Sequence, residues 1–135
     1  MTKDIASLLR EPGTTVAVVG ATDNHSKYGY VIYRDLKRKG YRVFPVNPRR
    51  TTVDSDVAFK DLTSLPEEPT IVNVVVPPTV AASVLEESLK LGLMNVWLQP
   101  GAESPENVAF LQENGFNYLA NACIMVESRH SGTKF

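Results

Sequence analysis

Three short stretches, Thr15–Gly20 (TVAVVG), Thr70–Val76 (TIVNVVV) and Asn95–Leu98 (NVWL), are almost unbroken runs of β-branched and apolar residues. A strand with one face in water alternates apolar and polar side chains. A run that is apolar throughout needs cover on both faces. Segments of helical pattern separate these runs, so the chain is confined to an α/β sheet with helices on both sides. Arg42–Val46 (RVFPV) reads as a further strand whose hydrogen-bonded run is shortened by Pro45, which has no N–H to donate. Asn117–Asn121 (NYLAN) reads as the fifth.

The helices carry their own punctuation. Tyr30–Lys39 closes on Lys37, Arg38 and Lys39 before Gly40, basic residues that suit the negative end of a helix dipole. In Val80–Leu91, Val80 aligns with Val84, and Ala81 with Leu85 and Leu89. Thr79 is the expected N-cap there and Gly92 the stop. Ser104 caps a third helix, with Pro105 at its first position and its end at Gly115. Asp4–Arg10 forms a short lead-in helix, and Thr51–Pro69 is a long connection with one helical turn around Phe59–Leu62. Strands alternating with helices imply right-handed crossovers. The predicted fold is a Rossmann-like three-layer α/β domain, its mostly parallel five-stranded sheet in the order 3-2-1-4-5. At 135 residues the chain fills one such domain, residues 1–135, with its core at about 10–128.

Composition closes several routes. Hydrophobic residues at 43% exclude a disordered chain, and a net charge of −1 with both signs scattered argues against nucleic acid as a partner. The longest apolar stretches, Val16–Gly20 and Ile71–Val76, are too short to span a membrane, and the N-terminus has no signal-peptide core. Cys123 is the single cysteine, so neither an internal disulfide nor a multi-thiolate metal site can form. A cytoplasmic location is expected.

In an open parallel sheet, ligands bind beyond the carboxyl ends of the strands. The segments there are GATDNHSKYG (20–29), NPRR (47–50), Pro77-Pro78-Thr79, QPGAES (99–104) and NACIM (121–125), all rich in Gly, Pro, Asn or small polar residues. Gly20, Ala21 and Thr22 are small enough for a ligand to approach the backbone. Gly29 and Tyr30 open a helix whose free N–H groups favour phosphate, with Lys27 as a point charge. Nine positions separate Gly20 from Gly29, so the loop is longer than the dinucleotide fingerprint. The end of the second strand lacks the carboxylate that an NAD site needs. Arg49 and Arg50 stand there instead, either as a solvated loop or to meet a phosphorylated ribose, that of coenzyme A or of NADP. Pro77 and Pro78 make an apolar rim for an adenine or a pantetheine arm, or serve simply as a helix entry, while Trp97 belongs to the core.

These segments resemble the small stand-alone CoA-binding proteins of bacteria, relatives of the CoA-binding domain of succinyl-CoA synthetase. The likeness rests on VAVVGAT (16–22), KYGY (27–30), VFPVNP (43–48), VVVPP (74–78), WLQPGA (97–102) and NACIMVE (121–127), in order along nearly the whole chain. It implies a Rossmann-type fold with coenzyme A at the carboxyl edge of the sheet. By position, Gly20, Ala21, Thr22, Lys27 and Gly29 would meet the phosphates, and Asn47, Pro48 and Arg49 the adenosine end. Val76, Pro77 and Pro78 would line the adjoining wall, with Gln99, Gly101 and Asn121 further along. Thr22 stands where the family more often has Ser, and TTVDSDVAFKDL (51–62) lacks the family's Gly and Tyr.

No catalytic constellation accompanies this site. His25 lies in the first loop as a solvated ring or an acid, base or phosphate donor, and His130 in the tail. Cys123 is a small buried hydrophobe, or a thiol that could form a mixed disulfide with the coenzyme. Glu103, Glu106 and Glu127 read as helix-dipole or surface carboxylates. No Ser-His-Asp order or metal-ligand cluster occurs. Three readings follow: a CoA-binding module without a reaction of its own, a small NADP-dependent reductase, or a subunit that supplies the CoA site to an acyl-CoA ligase or transferase. The expected partner is a small-molecule nucleotide cofactor, and a protein partner or a homo-oligomer stays open.

Overall fold

The computed structural model describes residues 4–128. The sheet strands are β1 (Thr15–Val19), β2 (Arg42–Val46), β5 (Ile71–Val74), β6 (Asn95–Leu98) and β7 (Asn117–Ala120), all paired in parallel. A small antiparallel hairpin, β3 (Thr52–Val53) and β4 (Asp56–Val57), lies in the long connection. The helices are α1 (Ile5–Leu8), α2 (Tyr28–Arg38), α3 (Pro78–Leu91), α4 (Pro105–Glu113) and α5 (Ile124–Glu127). Among them none is long and apolar enough to cross a membrane.

The near-continuous apolar runs have cover on both faces, as their composition requires. Ala17, Val72, Val74 and Val96 pack on one side with Ala81 and Leu85 of α3 and Leu111 of α4. Val16, Val18, Ile71 and Trp97 pack on the other with Ile32, Tyr33 and Leu36 of α2. Trp97 is fully buried and its Nε1 donates to the Ala122 carbonyl at 2.8 Å.

The strand order is β2-β1-β5-β6-β7. Counted over the five sheet strands this is 2-1-3-4-5, which corrects the expected 3-2-1-4-5. Pro45 supplies the reason. Its carbonyl accepts the Phe59 N–H at 2.9 Å on the outer side of β2, and a strand residue's nitrogen faces the same way as its carbonyl. The missing donor therefore falls on the outside, where proline is tolerated, and β2 is the edge strand. The fully buried β5 lies beside β1 instead.

Helix starts also differ from expectation. Helix α2 begins at Tyr28, two residues earlier, and α3 begins at Pro78 with Pro77 as its N-cap, so Thr79 lies inside the first turn and caps nothing. Proline at the first helical position, where no N–H is needed, accounts for that shift. Ser104 caps α4 as expected, its Oγ accepting the Asn107 N–H at 3.0 Å. The predicted turn at Phe59–Leu62 is displaced: Phe59 bridges to Val46, and a 3-10 turn follows at Leu62–Ser64.

Candidate functional site

Strands β1 and β5 are neighbours, yet β1 leads into α2 on one face and β5 into α3 on the other. That divergence opens a crevice above their carboxyl ends. Two glycines shape it. Gly20 follows β1 with a φ of +103°, and a Cβ there would lie 2.6 Å from the Val75 carbonyl oxygen. A Cβ on Gly29 would lie 2.0 Å from the carbonyl oxygen of Gly20, so α2 starts directly against the end of β1. Gly29 thus serves close helix–strand packing.

Three cavities sharing residues form one groove along this edge. The first, about 350 Å³, is walled by Val19, Val46, Leu62, Val76, Val80 and Val84. The second, about 450 Å³, runs from Gly20, Thr22, Lys27 and Gly29 to Pro77, Pro100 and Gly101. The third, about 840 Å³, lies over Thr22, Lys27, Asn47, Arg49, Arg50 and Pro77. The start of α2 reaches the second cavity without a side-chain cap, so its first N–H groups and positive dipole end are available to an anion.

Charge is distributed unevenly along the groove. Among the described residues, the Lys27 and Lys60 ammonium groups and the Arg49 guanidinium have no ion pair or side-chain hydrogen bond. Arg50 pairs loosely with Asp23 at 3.8 Å. The two carboxylates beside the first cavity are engaged with the 3-10 turn. Asp61 accepts the Ser64 N–H at 2.9 Å, and Glu87 accepts the Leu62 and Thr63 N–H groups at 3.2 and 3.1 Å.

Of the residues expected at the site, Gly20, Thr22, Lys27, Gly29, Asn47, Pro48, Arg49, Val76, Pro77 and Gly101 line these cavities. Four do not. Ala21 is buried against the α2 face and offers only its carbonyl, to Asn47 Nδ2 at 2.9 Å. Pro78 starts α3, and its carbonyl accepts Asn107 Nδ2. Gln99 is fully buried, donating to Asn73 Oδ1 at 2.8 Å, and Asn121 turns the chain at a φ of +60°. Lining residues missed by sequence reasoning include Lys60, Leu62, Val80 and Val84, which enter from the long connection and from α3. For Val80 and Val84 the signal was the position of α3 directly after a strand end; Lys60 and Leu62 carried none.

The reactive side chains lie elsewhere. His25 stacks on the Tyr30 ring at 4.2 Å, and Arg34 Nη1 donates to the Tyr30 hydroxyl at 2.6 Å. Cys123 is half-buried at the N-cap of α5 and lines none of the three cavities. Glu103 accepts the Gly101 N–H, and Glu106 sits in the first turn of α4. His130 lies outside the described residues. No group of three or more metal-ligating side chains occurs among the described residues.

Next to the groove, a polar cluster joins α2 to the hairpin. The buried Tyr33 hydroxyl donates to Asp56 Oδ2 at 2.6 Å, and Lys37 Nζ lies 2.8 Å from Asp56 and 3.1 Å from Asp54. Burial, reinforced by the Asp56 carboxylate, pushes the Tyr33 phenol far above its usual range. The bond to Asp56 raises Lys37. Burial alone would raise Asp56, but Lys37 and Tyr33 outweigh it and hold the carboxyl below its usual range.

A family model described as a CoA binding domain matches residues 14–129. The chain is 31% identical over 122 residues to the uncharacterized protein YneT of Bacillus subtilis, covering 88% of this chain and 87% of that one. It is 26% identical over 127 residues to the alpha subunit of an ADP-forming acetate–CoA ligase II of Pyrococcus furiosus, covering 86% of this chain and 28% of that subunit. A conserved hypothetical protein of Pyrococcus furiosus superposes with a TM-score of 0.82 at 39% identity, covering 85% of this chain and 99% of that one.

Proposed function

This chain belongs to the CoA-binding domain family, and from that premise we propose that it holds coenzyme A in the groove at the carboxyl edge of its sheet, as a cytoplasmic binding or regulatory module. The observation that carries the reading is the order of chemistry along the groove. A mainly apolar chamber lies at one end, between Val46 and Val84, with Lys60 on its wall; the unpaired cations Arg49, at its mouth, and Lys27 follow, and an uncharged exit passes Pro77, Pro100 and Gly101. Coenzyme A has that sequence of groups: a flat base, a phosphorylated ribose with a pyrophosphate, and a neutral pantetheine arm. NADP shares the first two, but its far end is a second ribose and base.

In this reading adenine enters the apolar chamber, and Arg49 meets the 3′-phosphate with Pro48 beside it. The pyrophosphate lies over Gly20 and Thr22, at the uncapped start of α2 and beside Lys27. Titration calorimetry of protein freed of carried-over ligand, with CoA, dephospho-CoA, NADP and NAD, tests this. Preference for CoA over dephospho-CoA with little response to NADP is expected. Equal affinity for CoA and NADP, or no binding of CoA, would overturn it.

The likeness to a ligase alpha subunit favours a second reading, in which the chain supplies this same site to a partner enzyme. A ligase subunit that co-purifies with the chain would support it.

A further inference from the structure

Among the residues lining the three cavities, Asn47 alone borders all three. Its polar groups are nevertheless turned to the protein. Nδ2 donates to the Ala21 carbonyl at 2.9 Å, across to the β1–α2 loop. Oδ1 accepts the Arg49 N–H at 2.9 Å, closing a turn through Pro48. The backbone N–H donates to the Phe59 carbonyl at 2.8 Å, and the Asn47 carbonyl accepts the Arg50 N–H at 3.3 Å. One side chain therefore ties together the glycine loop, the end of β2 and the backbone that carries Arg49.

We infer that Asn47 is a positioning residue, which sets Arg49 for the ribose phosphate and acts on the ligand through that arginine. The inference rests on the CoA reading above and deepens it. A direct contact to the nucleotide has little chemistry left to it. Oδ1 is an acceptor already in use and would repel a phosphate, and Nδ2 keeps one N–H beyond its bond to Ala21. Arg49 is exposed and unpaired among the described residues, so its side chain has many rotamers to lose on binding. Fixing its backbone N–H, with the rigid Pro48 before it, reduces the search.

The test is a double-mutant cycle on CoA and dephospho-CoA affinity, with Arg49→Ala, Asn47→Ala and the pair. Losing a hydrogen bond to a charged group lowers affinity by about ten- to a hundredfold. Arg49→Ala is expected to reduce the preference for CoA over dephospho-CoA on that scale. Asn47→Ala should weaken both ligands through the lost Ala21 bond and also remove most of the same preference, and the double variant should lose no more of that preference than Arg49→Ala alone. Asn47→Ser separates the two roles, because a serine hydroxyl can accept the N–H two residues on but is too short to reach Ala21. It should weaken both ligands and retain the preference, and it serves if Asn47→Ala does not fold. Equal losses for both ligands in Asn47→Ala, additive losses of the preference in the double variant, or a preference that Asn47→Ser abolishes would each overturn the positioning role. Wild-type protein that does not bind CoA would overturn the reading beneath it, a result distinguishable from any of these.

Discussion

Replacing Gly29 with alanine sets two physical effects against each other. Gly29 lies in the first turn of α2 with an ordinary helical φ, and alanine in a helix is better than glycine by about 1 kcal/mol. Propensity alone therefore predicts a more stable protein. The packing predicts the opposite. The added Cβ would lie 2.0 Å from the Gly20 carbonyl oxygen, whereas real Cβ contacts essentially never fall under 3.0 Å. The first turn of α2 must therefore retreat by at least about 1 Å, and since the obstacle is backbone, no rotamer change relieves it. Overpacking costs about 1–3 kcal/mol; taking the upper end and subtracting the propensity gain leaves about 2 kcal/mol of destabilisation. For a domain of this size that lowers Tm by about 7 °C. Denaturant unfolding should show a lower midpoint with an unchanged slope, and CoA affinity should fall about tenfold as the helix N–H groups withdraw from the phosphates. A Gly29→Ala protein as stable as the wild type, with undiminished affinity, would refute the close approach of α2 to the end of β1.

Lys27→Ala should weaken CoA and dephospho-CoA by the same factor and flatten the dependence of affinity on salt, because in the CoA reading this charge would face the pyrophosphate that both ligands carry; calorimetry at two ionic strengths reads it. Tyr33→Phe should change the alkaline limb of stability. The folded phenol keeps its proton where the unfolded one loses it above pH about 10, so wild-type stability falls as pH rises past that point. The variant should fall less steeply in urea unfolding at pH 9 and 11, with only the raised Lys37 still contributing in that direction; parallel curves would remove Tyr33 from the account. Cys123→Ser should leave CoA affinity within about twofold, since the thiol lies outside the groove; a larger loss would return the cysteine to the site.

The parallel sheet was legible because β1, β5 and β6 are buried on both faces and their sequences carry no polar alternation. The order of strands was misread, although one residue bore on it: Pro45 suits an edge strand as well as shortening a ladder, and β2 is the edge. The hairpin was hidden for a different reason. Its strands are two residues long, and its turn residues Asp54 and Ser55 take φ values of +49° and +67° without a glycine to announce them. That unfavourable turn is held by bonds from distant parts of the chain, Asp54 N–H to Asp23 Oδ1 at 2.8 Å and Lys37 to the Asp54 carboxylate. Long-range support of this kind has no local sequence signal. The same logic divides the candidate site. Loops that directly follow strands could be read off the chain, whereas Lys60 and Leu62 reach the groove only because the hairpin carries the connection back across β2.

A net charge of −1 gives no hint of an anion site, and the groove shows why a total is a poor guide. Asp61 and Glu87, the carboxylates nearest its apolar chamber, already accept backbone N–H groups of the 3-10 turn, which leaves them poor partners for the cations. Arg49 and Lys60, which share that cavity with them, are thereby left uncompensated, and Lys27 in the adjoining cavities has no acid partner among the described residues. The Asp23–Arg50 pair adds a reserve: at 3.8 Å and substantially exposed, it is of the kind that contributes only about 0–1 kcal/mol. A phosphate in the third cavity, with more charge than a carboxylate and the geometry for two parallel hydrogen bonds, would compete for Arg50 on favourable terms. Asp23 would not be stranded, because its Oδ1 keeps the Asp54 N–H. The field at this edge of the sheet is therefore set by which acids the fold has already occupied, and a chain of net charge −1 can present four cations along one groove.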